Sequence, residues 1–366
     1  MDVKPYEKNA KKHPSKQIEQ IANSIKRFGM NQPIVVDNGG TIIVGHGRYL
    51  ALQKLGWEIK PEYIKRLENL TPEEVNAYRL ADNKLNESDW DMGLVIEELK
   101  ALEDAELVTL TGFDTDLLIE PEEKDDLIPQ NPPTVAQLGD IWQLGQHRVM
   151  CGDSTQIEAV SMLMDGKKVD MVFTDPPYGV DYVSRVDENR RKPWGEIKND
   201  NLEGDELKKF ISDAVPVSLR CHQYICCNWQ SVKDFFDALG MPNSLIVWDK
   251  KSIGLGANYR SQHEFILFYG KLSHRSESNV WGLKRDSVSS YTHPTQKPVE
   301  LIVRAVTNSS EQGNAIYDAF LGSGSTLIAA QKTGRICYGM ELDPKYVDVI
   351  IKRWEDYTGE KAVKVS

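Results

Sequence analysis

The sequence predicts an α/β protein in two parts. A small α/β unit spans residues 1–118, a linker spans 119–136, and a seven-stranded doubly wound sheet spans 137–366. Three observations predict it. After residue 137, strand-like and helix-like stretches alternate, as in sheets covered by helices on both faces. The acidic stretch IEPEEKDDLIPQNPPTVAQLG (119–139) carries Pro121, Pro129, Pro132 and Pro133, the composition of an interdomain linker. At 366 residues the chain is long for one domain and comfortable for two.

In the first part, SKQIEQIANSIKRFGM (15–30) sets Ile18, Ile21, Ala22 and Ile25 at helical spacing. QPIVVDNGGTIIVGHG (32–47) reads as two strands about an Asn38-Gly39 turn. RYLALQKLGW, TPEEVNAYRLADNKL and WDMGLVIEELKALED read as helices. In the second part the strands are HRVMCGD, VDMVFTDPPYG, QYICCN, SLIVWDK, HEFILFYG, AIYDAF and RICYGMEL. The helices are STQIEAVSMLMDG, ELKKFISDAVPVSL, SVKDFFDAL, KPVELIVRAV, GSTLIAAQKTG and DPKYVDVIIKRWEDY. Pro298 falls in the first turn of the fourth helix, and Asp343 caps the last, with Pro344 at its first position.

A hydrophobic content of 40% and a charged content of 27% describe a soluble globular protein. No apolar run approaches the roughly 20 residues that span a bilayer, so no membrane role is expected. The polar start, MDVKPYEKNAKKHPSK, lacks the apolar core of a secretory signal, and a cytoplasmic location is expected. Cys151, Cys221, Cys226, Cys227 and Cys337 form no C-x-x-C pair, which predicts neither a disulfide framework nor a metal site. The net charge of −11 does not decide the partner, because the acids are concentrated. Residues 67–128 hold 19 acids and 4 bases, whereas residues 1–66 hold 12 bases and 6 acids.

Two stretches carry chemistry. In MVFTDPPYGVDY (171–182) a run of strand-formers stops at Asp175-Pro176-Pro177-Tyr178, because proline cannot donate to a sheet ladder. In open α/β sheets, ligands sit at that edge. In YDAFLGSGSTLIAA (317–330) a strand enters a glycine-rich turn, Gly322-Ser323-Gly324, which opens a helix. Backbone can approach a ligand closely there, and the helix start offers free N–H groups. The P-loop pattern G-x-x-x-x-G-K is absent. At the end of the next strand stands Glu341, where a doubly wound fold places the acid that grips ribose hydroxyls. A nucleoside cofactor without a triphosphate fits this pair.

DPPY together with D-x-F-x-G-S-G-S-T resembles the amino-group DNA methyltransferases that use S-adenosylmethionine. DPPY precedes the glycine motif, an order that resembles their circularly permuted β class. The resemblance covers roughly residues 137–358 and implies a circularly permuted, Rossmann-like methyltransferase fold acting on double-stranded DNA. It also implies cofactor contacts. Asp153, in CGDS, would meet the adenine, and Thr295 and Lys297, in HPTQKPVEL, would hold the methionine moiety. Asp318, Phe320, Gly322, Ser323, Gly324, Ser325 and Thr326 would line the cofactor, with Glu341 on its ribose.

In such an enzyme the exocyclic amine is a poor nucleophile, its lone pair being delocalised into the ring. Asp175 and the carbonyl of Pro176 would accept its two hydrogens, and Pro177 would stiffen the same backbone. Tyr178 would stack on a base swung out of the duplex. Cytosine-C5 chemistry needs a Pro-Cys pair, and none of the 17 prolines precedes a cysteine. Asp at position 175 resembles adenine-N6 enzymes more than cytosine-N4 enzymes, which more often carry Ser. Cytosine-N4 methylation remains the alternative within the class, and a non-catalytic DNA-binding partition or regulatory protein the alternative outside it.

Target recognition is expected from 181–200 and 249–292. Arg190, Arg191, Lys192, Lys250, Lys251 and Arg260 are the candidates for DNA contacts there. The first part resembles the ParB-type N-terminal domain through QPIVV, the turn and IIVGHGRYLALQKLGW. Gly45-His46-Gly47-Arg48 stands where that family carries the Gly-Glu-Arg-Arg box that binds CTP phosphates. The acid and one arginine are missing, which leaves nucleotide binding open. A DNA-contacting or homodimer-forming accessory domain is the expectation for this unit.

Overall fold

The computed structural model describes the chain except residues 1–2, 8, 10, 86–91, 103, 114, 130–131, 180–197, 216–220, 254–258, 273–276 and 284–295. It divides into two units, Met1–Ile119 and Glu120–Ser366.

In the first unit, helix α1 (Ser15–Phe28) precedes β1 (Ile34–Val36), β2 (Ile42–Val44), α2 (His46–Leu55), β3 (Ile64–Arg66), α3 (Pro72–Leu85), α4 (Met92–Lys100) and α5 (Ala105–Leu110). The three strands form one sheet in the order β2-β1-β3. β1 and β2 pair antiparallel around the Asn38-Gly39 turn, where Asp37 Oδ1 accepts the Thr41 amide. Ala22 and Ile25 of α1 pack with Ile34, Val36, Ile42, Ala51 and Leu52. Thr71 and Glu74 exchange side-chain-to-amide hydrogen bonds and so cap α3 reciprocally. His46 opens α2 and accepts the Tyr6 amide, and burial pushes its pKa down to about 4.

The second unit carries β4 (Ile141–Leu144), β5 (His147–Cys151), α6 (Ile157–Met164), β6 (Met171–Thr174), α7 (Gly204–Ala214), β7 (His222–Cys227) and α8 (Val232–Leu239). It continues with β8 (Ser244–Asp249), β9 (His263–Tyr269), β10 (Val280–Gly282), α9 (Val299–Ser309), β11 (Ala315–Asp318), α10 (Ser325–Lys332), β12 (Ile336–Glu341), α11 (Pro344–Thr358) and β13 (Val363–Lys364). All seven strands read from the sequence are present, and β4, β10 and β13 extend the sheet to ten, in the order β10-β8-β9-β7-β6-β11-β12-β5-β4-β13.

Side chains alternate between two helix layers, as strand periodicity requires. Phe173, Tyr224, Ile316 and Cys337 pack with residues of α9, α10 and α11 on one face. Val172, Tyr317 and Tyr338 meet α6 on the other, where Ile225 meets α7 and α8. Asp343 caps α11 as expected, accepting the Lys345 amide. Pro298 stands one position earlier than expected, as the residue that caps α9.

The stretch 119–136, read as a linker, lies within the second unit from Glu120 onward. Asp125 and Asp126 are structural partners rather than solvated charges, whereas Glu122 and Glu123 are exposed. Asp126 Oδ1 accepts the amide of Val299 and so caps α9. Asp125 is buried against Lys332 and Tyr357. The amides of Val135 and Ala136 both donate to Asp348.

Candidate active site

β6 and β11 lie side by side, but the chain leaves them in opposite directions, from β6 to β7 and from β11 to β12. Ligand crevices form at the carboxyl ends of strands where the order reverses in this way. A cavity of about 380 Å³ opens there, lined by the segments that follow β5, β6, β11 and β12.

On one side stands the glycine turn. Gly322 and Gly324 take positive φ values of 54° and 88°, which favour glycine. A Cβ on Gly324 would come within 3.2 Å of Ile350, whereas one on Gly322 would meet only the Phe320 carbonyl at 4.0 Å. The Gly322 backbone therefore faces open space. Asp318 braces the turn from beneath, accepting from Thr174 Oγ1 at 2.8 Å, the Phe320 amide at 3.0 Å and Thr326 Oγ1 at 2.6 Å. Burial pushes its pKa up to about 6. Arg353, itself buried, donates to the Ser323 carbonyl at 2.9 Å and to the Asp125 carbonyl at 2.7 Å. Glu341 accepts the amides of Gly322 and Asp343, and burial pushes its pKa up to about 7. Asp153 accepts the amide and the hydroxyl of Thr155.

Across the cavity, Asp175 comes directly after β6. Tyr178 Oη donates to its Oδ1 at 2.5 Å, and Lys297 Nζ donates to its Oδ2 at 2.5 Å and to Tyr178 Oη at 3.1 Å. The Tyr178 amide donates to Asp200, and its ring meets Phe235 edge-on. Lys297 also lies 3.2 Å from Glu264 Oε2, and Lys250 lies 2.5 Å from Glu264 Oε1. Burial raises the pKa of Asp175. Burial pushes Glu264 up as well, but Lys297 and Lys250 outweigh it and hold Glu264 at about 2. Burial opposes the charge of Lys297, yet Asp175 and Glu264 keep it protonated far above neutrality.

The fold thus brings Asp153, Asp175, Pro176, Pro177, Tyr178, Lys297, Asp318, Phe320, Gly322, Ser323, Ser325, Thr326 and Glu341 to one cavity. Gly324 sits behind the turn, against Ile350. Lys297 is paired with the Asp175 carboxylate. Lys250, a candidate for DNA contact, instead lines the cavity and neutralises Glu264. Lys251 pairs with Asp249, and Arg260 is exposed. Thr295, Arg190, Arg191 and Lys192 lie outside the described residues. Sequence reasoning missed Glu264, Asp200 and Asn228, which line the same cavity. Glu264 had a signal, a lone acid beside the apolar run FILFY. Among the described residues no helix is long and apolar enough to cross a membrane, and no cluster of acids, histidines and cysteines could hold a metal ion.

Residues 271–353 match the family described as DNA methylase, and residues 3–82 match the ParB N-terminal domain. The type II methyltransferase M.BglII of Bacillus subtilis is 25% identical over 52% of this chain, which spans 66% of that relative's length. The ParB-like nuclease domain-containing protein YnaK of Escherichia coli K12 is 38% identical over 20% of this chain and 82% of its own. The crystal structure of the M1.HpyAVI–SAM complex aligns with 56% of this chain and 98% of its own, at 22% identity and a TM-score of 0.40.

Proposed function

Because the chain belongs to the N6/N4 DNA methylase family through residues 271–353 and to the ParB N-terminal domain family through residues 3–82, we propose that it methylates N6 of an adenine swung out of duplex DNA. One observation carries this reading: Asp175 and the glycine turn with Glu341, far apart in sequence, line a single cavity at the sheet's reversal point.

The family uses S-adenosylmethionine, and the residues here fit it. The turn offers open backbone at Gly322, and Glu341 is an acid suited to ribose hydroxyls. Asp153 lies at the far end of the same row, after the strand next to β12. When bound, the cofactor supplies a methyl group on a positively charged sulfur. No triphosphate-binding lysine accompanies the turn, in keeping with a cofactor that has none.

The protein's own work falls to the DPPY segment. Asp175 and the Pro176 carbonyl accept the two amine hydrogens, which turns the nitrogen lone pair out of the ring and toward the methyl carbon. As the N–C bond formed, the methyl's bond to sulfur would break, leaving a neutral thioether, and the nitrogen would shed one proton to Asp175, the carboxylate among its two acceptors. Tyr178 supplies a ring face for the base. Each carboxylate oxygen has two acceptor positions, so Oδ1 serves the substrate as well as the tyrosine hydroxyl. Asp at position 175, rather than Ser, favours adenine over cytosine. For the first unit, the basic excess of residues 1–66 supports a role in contacting DNA.

The test is methyl transfer from labelled cofactor to mixed-sequence duplex DNA. Asp175→Ala is expected to lower turnover by about 10²–10³ or more while leaving cofactor affinity nearly intact. Equal loss of both contradicts the role given to Asp175. Digestion of the product to nucleosides identifies N6-methyladenine, and N4-methylcytosine in its place overturns the adenine assignment.

A further inference from the structure

The DPPY carboxylate does not stand alone with its lysine. Behind it runs a row of alternating charges, Asp175, Lys297, Glu264 and Lys250, contributed by four separate segments. Lys297 is 6% exposed, Glu264 17% and Lys250 13%. An Asp175–Lys297 pair would already be neutral. Burying a second pair beside it carries a desolvation cost that neutrality alone does not require. Glu264 enters from β9, opposite Trp248 of β8, with Oε1 on Lys250 and Oε2 facing Lys297.

We propose that Glu264 is a positioning residue for the methyl-transfer carboxylate: it divides the Lys297 ammonium between itself and Asp175, so that Asp175 keeps acceptor strength for the substrate amine. The inference rests on the methyltransferase reading. Were Lys297 committed wholly to Asp175, it would drain charge from the oxygens that must take the amine hydrogens. Glu264 draws the ammonium back, and Lys250 sets how strongly it can do so.

The other groups around Asp175 do not substitute for this arrangement. Tyr178 donates to it, and burial keeps the tyrosine protonated. Burial likewise keeps Cys226 and Cys227 of β7 as thiols. Asp318 of β11 accepts three hydrogen bonds of its own. Asp200 is engaged with the Tyr178 amide. The direction of the effect comes from charge. Removing the negative charge of Glu264 stabilises ionised Asp175, and removing the positive charge of Lys250 destabilises it.

The experiment is the pH profile of single-turnover methyl transfer by the full chain on mixed-sequence duplex DNA, for the wild type, Glu264→Gln and Lys250→Met. Transfer requires ionised Asp175 and is lost as pH falls through its pKa. The acidic limb is expected to move down by roughly one pH unit in Glu264→Gln and up by a similar amount in Lys250→Met. Limbs that stay in place, or move in the same direction, overturn the proposal, since loss of packing alone would lower activity at every pH. If Glu264→Gln does not fold, the upward shift in Lys250→Met decides. Carbon-13 NMR titration of the Asp175 carboxyl, assigned with Asp175→Asn, reads the same displacements without substrate. It separates failure of this inference from failure of the methyltransferase reading.

Discussion

The amide of Gly322 donates to Oε2 of Glu341 across 2.9 Å, tying the glycine turn to the end of the neighbouring strand. The Asp343 amide takes the other oxygen at 2.8 Å, so the carboxyl is gripped from both sides by the backbone that frames the cavity. Burial nevertheless lifts its pKa from 4.5 to about 7. With the folded pKa above the unfolded one, its contribution to stability is complete below about 4.5 and is lost as pH rises through about 7. On the proposed reading, ribose hydroxyls would donate to Glu341 and favour the ionised form, so cofactor binding near pH 7 is expected to release protons. Calorimetric titration with S-adenosylmethionine in buffers of different ionisation enthalpy measures that release. Glu341→Gln should abolish it and weaken binding by about 1.5–3 kcal/mol, the scale of hydrogen bonds to a charged group. Equal release by the variant would place the proton elsewhere.

Tyr178 offers two functions that mutation can separate. Its hydroxyl is held by Asp175 and Lys297, whereas its ring is backed by Phe235. Tyr178→Phe removes two hydrogen bonds, one to Asp175 and one from Lys297, but keeps the ring, and is expected to keep most of the transfer rate. Tyr178→Ala also removes the ring proposed to stack on the base, an expected further loss of ~1–3 kcal/mol per base. Steady-state kinetics on duplex DNA distinguish the two, and equal losses would assign the work to the hydroxyl.

What was legible in the sequence, and what was not, divides along physical lines. The seven inner strands are apolar runs bounded by turn residues, and they read as strands because burial on both faces demands that composition. Of the three added strands, β10 and β13 are short. β13 is only Val363–Lys364, both exposed, and its place comes from pairing with β4 rather than from any pattern of its own. DPPY and the glycine turn were legible because proline and glycine have narrow backbone uses. Asp125 was misread because its partners, Lys332 on its carboxylate and Arg353 on its carbonyl, each lie more than 200 residues away. Glu264 was passed over and Lys250 assigned to DNA for a different reason: their pairing, 14 residues apart, depends on the register of β8 against β9.

Gly339, in the middle of β12, is glycine because of its neighbour. A Cβ there would sit 2.4 Å from Cδ2 of Leu321, the residue that leads into Gly322. Gly339→Ala must displace Leu321, and overpacking of this kind costs about 1–3 kcal/mol. Thermal unfolding should show a lower midpoint for the second unit, together with weaker cofactor binding. Adding Leu321→Val should recover part of both. If it recovers neither, the Leu321 contact is not the cause.

Asp125 gives the clearest test of where the second unit begins. Its side chain is buried between Lys332 Nζ at 2.7 Å and Tyr357 Oη at 3.2 Å, and its carbonyl accepts from Arg353 at 2.7 Å. Lys332 is itself only 8% exposed, so Asp125→Ala leaves its ammonium with the exposed Glu122 alone, at 3.2 Å. Breaking one side of a buried pair typically costs about 3–5 kcal/mol, and the shared contact with Glu122 places the expectation near the lower end. Glu123→Ala, an exposed neighbour in the same acidic run, should change stability by less than about 0.5 kcal/mol. Urea unfolding of the full chain, monitored through the second unit's tryptophans, measures both. A loss in Asp125→Ala as small as that in Glu123→Ala would mean that 120–136 is a tether with no share in the stability of the sheet and its helices. A large difference means that the acidic stretch is part of the platform under the glycine turn, because Arg353 joins the Asp125 carbonyl to that of Ser323.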